Sequence, residues 1–254
     1  MKLQGLPCWF ELNSSDLDSA AAFYGTVFGW SVGASQMIDF DYRIAHVGTD
    51  GVAGLMSALP PGVPTNWLIY FGADDADATV AATEAAGGRL WKAVETVPGV
   101  GRFAVLADPQ GAAFGVLQPD PTTAPQGGPA FNQQAQGHGN WLELMSTDPV
   151  AGFAFYADLF GWTKGDTMPM GEMGNYQLFR HDGADIGGMM GLGDAPVPNW
   201  LPYFGSNGVA ATMAAITAAG GRIHMGPMEV PGPAHVAIAQ DPQGAWFAIV
   251  GPLG

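Results

Sequence analysis

Large apolar and polar residues alternate from Cys8 to Asn13, the period of a strand with one buried face. Leu17, Ala20, Ala21, Tyr24, Val27 and Phe28 then recur at helical spacing. Ser15-Asp16 can cap that helix, because a short side-chain oxygen there accepts from the unpaired N–H groups of the first turn. Gly29 can end it in the left-handed conformation. Phe40–Gly48 and Val52–Ser57 read as strands. Asn66–Ala73 starts a second round: a strand, a helix capped by Asp75 that runs to Gly87-Gly88, then strands meeting at Asp108-Pro109-Gln110-Gly111. Pro and Gly at that point favour a tight turn. The pattern is strand, helix, three strands, taken twice.

The chain then repeats itself. DLDSAAAFYGTVFGW (16–30) returns as DPVAGFAFYADLFGW (148–162), an offset of 132. Asn66-Trp67-Leu68 matches Asn199-Trp200-Leu201, Gly87-Gly88-Arg89 matches Gly220-Gly221-Arg222, and ADPQGAAF (107–114) matches QDPQGAWF (240–247), all at offset 133. The matches keep their order, so the expected domains are 1–120 and 137–254. Residues 121–136, rich in Pro, Gly and Gln, are expected to link them.

In DLDSAAAFYGTVFGW, GADDADATVAATEAAGGRL and LADPQGAAFGVLQP the chain resembles the vicinal-oxygen-chelate (VOC) superfamily: glyoxalase I, bleomycin-resistance proteins, fosfomycin-resistance enzymes and extradiol dioxygenases. The resemblance covers nearly the whole chain, twice. It implies an α+β protein of two tandem VOC domains, each a pair of βαβββ modules forming a curled mixed sheet cup. Such a cup holds a metal or a small ligand.

Metal-dependent members carry His or Gln on the first strand, His on the fifth and Glu on the last. Here the resemblance sets Trp9 and Trp141, Leu68 and Leu201, and Gly115 and Ala248 at those places. Indole offers a donor N–H and no lone pair for a cation, and the others offer no donor atom. No metal and no cofactor is therefore expected. The five histidines do not replace the set: His46 and His181 fall at strand turns, and His138, His224 and His235 do not recur between the repeats.

Strand residues alternate faces, so Trp9, Glu11 and Asn13 are expected to face the first cup, with Trp141, Glu143 and Met145 facing the second. Tyr70 and Tyr203 face inward on the fifth strands, and Gly115 and Ala248 are expected to leave space. Three readings of these residues stand side by side. In one, the aromatic cup binds a planar or cationic small molecule whose amine pairs with a carboxylate, as in a bleomycin-resistance-like protein. In the second, the carboxylate is desolvated enough for Glu11 or Glu143 to act as the catalytic group of a lyase or isomerase. It would move a proton next to a carbonyl while Tyr70 or Tyr203 hydrogen-bonds the oxyanion. In the third, the tryptophans fill vacated holes and the carboxylates are structural.

Composition narrows the partners. With 48% hydrophobic and 12% charged residues the chain can build cores and is not a disordered polymer. A formal charge of -15 argues against nucleic acid and anionic membranes and leaves neutral or cationic small molecules. The lone Cys8 excludes an intrachain disulfide and is expected to be an inert core thiol. The start, MKLQGLPCWFELNSSD, does not read as a signal peptide, so a cytoplasmic protein is expected. Joining the halves covalently predicts a monomer or weak homodimer.

Overall fold

The computed structural model describes residues 3–34, 40–57, 62–122, 129–171 and 174–254. The first repeat runs β1 (Pro7–Asn13), α1 (Leu17–Phe28), β2 (Ser31–Val32), β3 (Tyr42–Val47), β4 (Asp50–Met56), β5 (Asn66–Gly72), α2 (Ala76–Ala85), β6 (Arg89–Val97), β7 (Gly101–Ala107) and β8 (Ala113–Pro119). The second runs β9 (Gly139–Ser146), α3 (Pro149–Phe160), β10 (Thr163–Pro169), β11 (Asn175–His181), β12 (Ala184–Gly191), β13 (Asn199–Gly205), α4 (Val209–Ala218), β14 (Arg222–Val230), β15 (Ala234–Gln240) and β16 (Trp246–Gly251). Each repeat gives one eight-stranded mixed sheet, ordered β2-β3-β4-β1-β5-β8-β7-β6 in the first and identically in the second. The β1–β4 and β5–β8 pairs are parallel; the hairpins are antiparallel. The tandem VOC arrangement is thus present.

Local signals account for the helices. Asp16 and Asp75 adopt extended backbone and accept from Ser19 N and Ala78 N, and Gly29 and Gly161 end α1 and α3 at φ 73° and 72°. Gly208 begins α4 with no side-chain cap. There the carbonyls of Pro252 and Leu253 accept from Val209 N and Ala210 N, satisfying first-turn donors. The strands expected at Phe40–Gly48 and Val52–Ser57 are β3 and β4, with slightly different ends.

Packing groups the modules across the repeats. One compact unit gathers the chain up to Cys8, Ile69 through β8, and Leu142–Trp200. The other gathers Trp9–Leu68, Pro129–Trp141 and everything from Leu201. Inside them α2 packs on α3, and α1 on α4. In the expected linker, 123–128 lie outside the described residues. The rest is less plain than its composition implied: Ala130 is fully buried, Phe131 bridges to Gly139, and Trp30 Nε1 donates to the Gly137 carbonyl at 2.9 Å.

Each unit has an aromatic core around one buried tyrosine. In one, Tyr24 of α1 touches Phe23, Phe28, Trp30, Trp67 and Phe247. Its hydroxyl donates to Asp241 Oδ2 at 3.0 Å and accepts from Trp67 Nε1 at 3.0 Å. In the other, Tyr156 of α3 donates to Asp108 Oδ2 at 3.2 Å and accepts from Trp200 Nε1 at 2.9 Å. The second oxygen of each carboxylate accepts from its own turn: Gln110, Gly111 and Ala112 N for Asp108, and Gln243 and Ala245 N for Asp241. The Asp-Pro-Gln-Gly turns are thus turn chemistry, as read, and also the buried partners of the other repeat's helix tyrosine. Trp67 and Trp200 are core, as their face predicts. Among the described residues no helix is long and apolar enough to cross a membrane.

Candidate functional site

Trp9, Glu11 and Asn13 share one face of β1, while Phe10 on the opposite face packs 5.5 Å from Phe204 in the aromatic core. Trp9 is half-buried; Glu11 and Asn13 are buried. Glu11 pairs in register with Gly54 of β4. The ring of Tyr42, from β3, lies across Gly54: a Cβ there would run into the Tyr42 hydroxyl and come within 3.1 Å of Trp9 Nε1. Glycine at that point lets the phenol cross the strand. Trp9 Nε1 donates to Tyr42 Oη at 2.9 Å, and Tyr42 in turn donates to the Glu11 carboxylate. Burial, reinforced by the Glu11 charge, pushes the Tyr42 phenol well above its ordinary range. Asn13 Nδ2 lies 3.5 Å from Asn66 Oδ1, and Asn66 Nδ2 donates to the Pro64 carbonyl at 2.8 Å.

Tyr42 escaped the sequence reading. A signal existed: Tyr42 and Gly54 recur as Tyr176 and Gly188 at a common offset of 134. In the second repeat Glu143 is again buried, again in register with the glycine (Gly188), and a Cβ on Gly188 would run into the Tyr176 ring. Trp141 and Met145 are both half-buried on β9.

A row crosses the second module of repeat one through register pairs Tyr70–Gly115, Gly115–Val105 and Val105–Lys92. The Tyr70 ring covers Gly115, where a Cβ would strike it. Gly115 therefore leaves no space: the expected hole is filled by an aromatic ring from the neighbouring strand. Phe103 lies edge-on to Tyr70 at 6.3 Å, and Lys92 Nζ sits 5.2 Å from the Phe103 ring centre and 3.1 Å from Glu95. The matching row of repeat two is Tyr203, Ala248, Ile238 and Met225, and the next is Gly205, Val250, Val236 and Met228. Methionines stand where repeat one has Lys92 and Glu95, and both are exposed. Exposed Trp246 lies against His224, the rings tilted by 36° with centroids 4.1 Å apart. The repeats share a backbone frame and differ in surface chemistry.

The metal implied by the fold family does not fit these side chains. The Trp9 indole is a donor already engaged with Tyr42, and the Tyr70 ring lies over the last-strand position. Among the described residues no group of three or more His, Cys, Asp or Glu could hold an ion. His181 Nε2 engages the Gln4 carbonyl at 2.9 Å, and His138 Nδ1 the Gln136 carbonyl at 3.0 Å. Cys8 is buried, donates to the Tyr70 carbonyl at 3.4 Å, and is pushed up to about 12 by burial, which makes it the unreactive thiol expected.

A glyoxalase-like domain model matches residues 9–117. CFP32 of Mycobacterium tuberculosis, a protein named only provisionally as a glyoxylase, is 31% identical over 256 residues, covering 98% of this chain and 95% of its own. The anthracycline biosynthesis protein DnrV of Streptomyces peucetius is 31% identical over 271 residues, covering 97% of this chain and 93% of its own. Among solved structures, the Mn(II)-bound glyoxalase from Novosphingobium aromaticivorans superposes with a TM-score of 0.65 at 17% identity, over 99% of this chain and 83% of that one. The 2,3-dioxygenase LapB from Pseudomonas sp. KL28 does so at 0.68 and 13%, over 98% and 93%. At such identities the two structures speak for the fold alone.

Proposed function

The chain belongs to the glyoxalase-like proteins of the VOC superfamily, and from that premise we propose that it binds a small aromatic or cationic molecule without a metal. It would act as a sequestering or carrier protein of the bleomycin-resistance kind. One observation carries this reading: where metal-dependent relatives place their first ligand, Trp9 donates instead to Tyr42, which donates to buried Glu11. An indole, a phenol and a carboxylate at one place recognise a flat molecule with a polar or charged edge. The overall charge of -15 favours a cation over an anion. The relative DnrV, named as an anthracycline biosynthesis protein, supports the same ligand class.

The proton-transfer alternative has less support. Glu11 already accepts a hydrogen bond from Tyr42. Among the described residues no cluster of His, Cys, Asp or Glu could hold a metal that would stabilise an enolate, so a tyrosine hydroxyl would carry that charge.

The test joins elemental analysis of the purified protein with tryptophan-fluorescence titration against a panel of cationic and neutral multi-ring aromatics. Sub-stoichiometric divalent metal and saturable quenching by panel members are expected. One equivalent of bound divalent ion, or flat traces throughout, would overturn the proposal.

A further inference from the structure

We infer that Tyr42 is a specificity-determining residue that makes the first-repeat site select ligands carrying a hydrogen-bond donor, ammonium above all, over anions of the same shape. This rests on the small-molecule reading above and adds a polarity to it.

Indole has one N–H and no acceptor; phenol has one O–H and accepting lone pairs; an ionised carboxylate only accepts. The Trp9 N–H goes to Tyr42, and the Tyr42 O–H goes to Glu11. Both polar protons of the array therefore point along one line, Trp9 to Tyr42 to Glu11, and both are used inside the protein. At these three side chains a ligand would meet acceptor oxygens rather than protons, while the Asn13 amide on the same face is turned to Asn66 Oδ1. An incoming ammonium or hydroxyl finds acceptors, whereas an incoming carboxylate or phosphate finds oxygen against oxygen and a buried negative charge.

Tyr42 fixes this direction. Without its hydroxyl the indole N–H would lose its acceptor and become a donor open to a ligand. Gly54 belongs to the same device, since any side chain there would displace the Tyr42 hydroxyl from the strand it crosses. The Glu–Gly–Tyr set recurs around Glu143, Gly188 and Tyr176.

The experiment compares two flat three-ring probes by isothermal titration calorimetry: 9-aminoacridine, a cation near neutral pH, and 9-anthracenecarboxylate, an anion. Wild-type protein is expected to prefer the cation at least tenfold. Glu11→Gln, nearly isosteric, is expected to erase that ratio. Tyr42→Phe is expected to lower it several-fold while leaving the melting temperature within a few degrees. The ratio is the readout because a purely structural role for Tyr42 would weaken both probes alike; equal weakening would overturn its assignment. Equal wild-type affinity for the two probes would sink donor selection and leave small-molecule binding standing. Binding of neither probe would sink both. Should Tyr42→Phe not fold, Gly54→Ala, whose Cβ displaces the Tyr42 hydroxyl, takes its place with the same expected fall in the ratio, and an unchanged ratio would overturn the assignment.

Discussion

Tyr24 and Tyr156 each tie a helix to a buried carboxylate through one hydroxyl that is also the acceptor for a buried indole. Tyr24→Phe removes a donor from Asp241 and an acceptor from Trp67 at once, leaving two buried polar groups short of a partner. Such loss costs about 1–3 kcal/mol per orphaned group, so urea denaturation should show a fall in stability of about 2–6 kcal/mol. Burial raises both Asp108 and Asp241 above the ordinary carboxylate range, against the lowering effect of their hydrogen bonds. A carboxyl raised in the folded state contributes stability that is fully present below its unfolded pKa, about 3.9, and is lost as pH rises through the folded value. Carbon-13 titration of the two carboxyls should therefore give midpoints above those of exposed aspartates. Midpoints at or below the exposed values would refute the assignment. Cys8, with its raised pKa, should not react with a disulfide reagent in native buffer and should react with one equivalent in denaturant.

At the scale of elements, the two repeats reach the same backbone by different local means. Asp75 caps α2 with its side chain, whereas the equivalent start of α4 is a glycine whose helix draws on carbonyls from Pro252 and Leu253. Asp75→Ala should then cost about 0.5–2 kcal/mol, read as a shift of the thermal midpoint. The sheets make a similar point. Tyr70 of β5 lays its ring across β8 because Gly115 has no side chain beneath it, and β4 lets Tyr42 pass because of Gly54. Each glycine is there for a neighbour's aromatic ring. Gly115→Ala would force that ring to move, so destabilisation is expected although alanine suits a strand better than glycine in isolation.

For the whole molecule, the consequential fact is that each compact unit is built from both repeats. Tyr24, Phe28 and Trp30 of the first repeat pack on Phe204 and Phe247 of the second. Phe71 and Phe114 pack on Tyr156 and Phe160. A single repeat would expose that surface to water. Residues 1–128 and 129–254 expressed separately should self-associate or aggregate, and co-expressed should recover one 1:1 complex by light scattering. A well-folded monomer from either half would contradict this packing. The intact chain supplies both halves, and we expect it to run as a monomer, with the charge of -15 opposing association.

The sequence alone determined whatever depends on local period or on comparison of the chain with itself. The duplication, the order of elements and the caps at Asp16 and Asp75 were all readable, because each rests on nearby residues or on repeat-to-repeat matching. Only the tertiary structure decided what fills the space between distant segments. Tyr42 meets Trp9 and Glu11 across 33 and 31 residues of chain, Tyr70 takes the place that Gly115 vacates, and each helix tyrosine finds an aspartate in the opposite repeat. Strand spacing fixes which face a side chain takes but not which strand lies beside it or how far a long ring reaches. Those contacts arise when registers between non-consecutive strands are set by packing, and no local pattern carries that information.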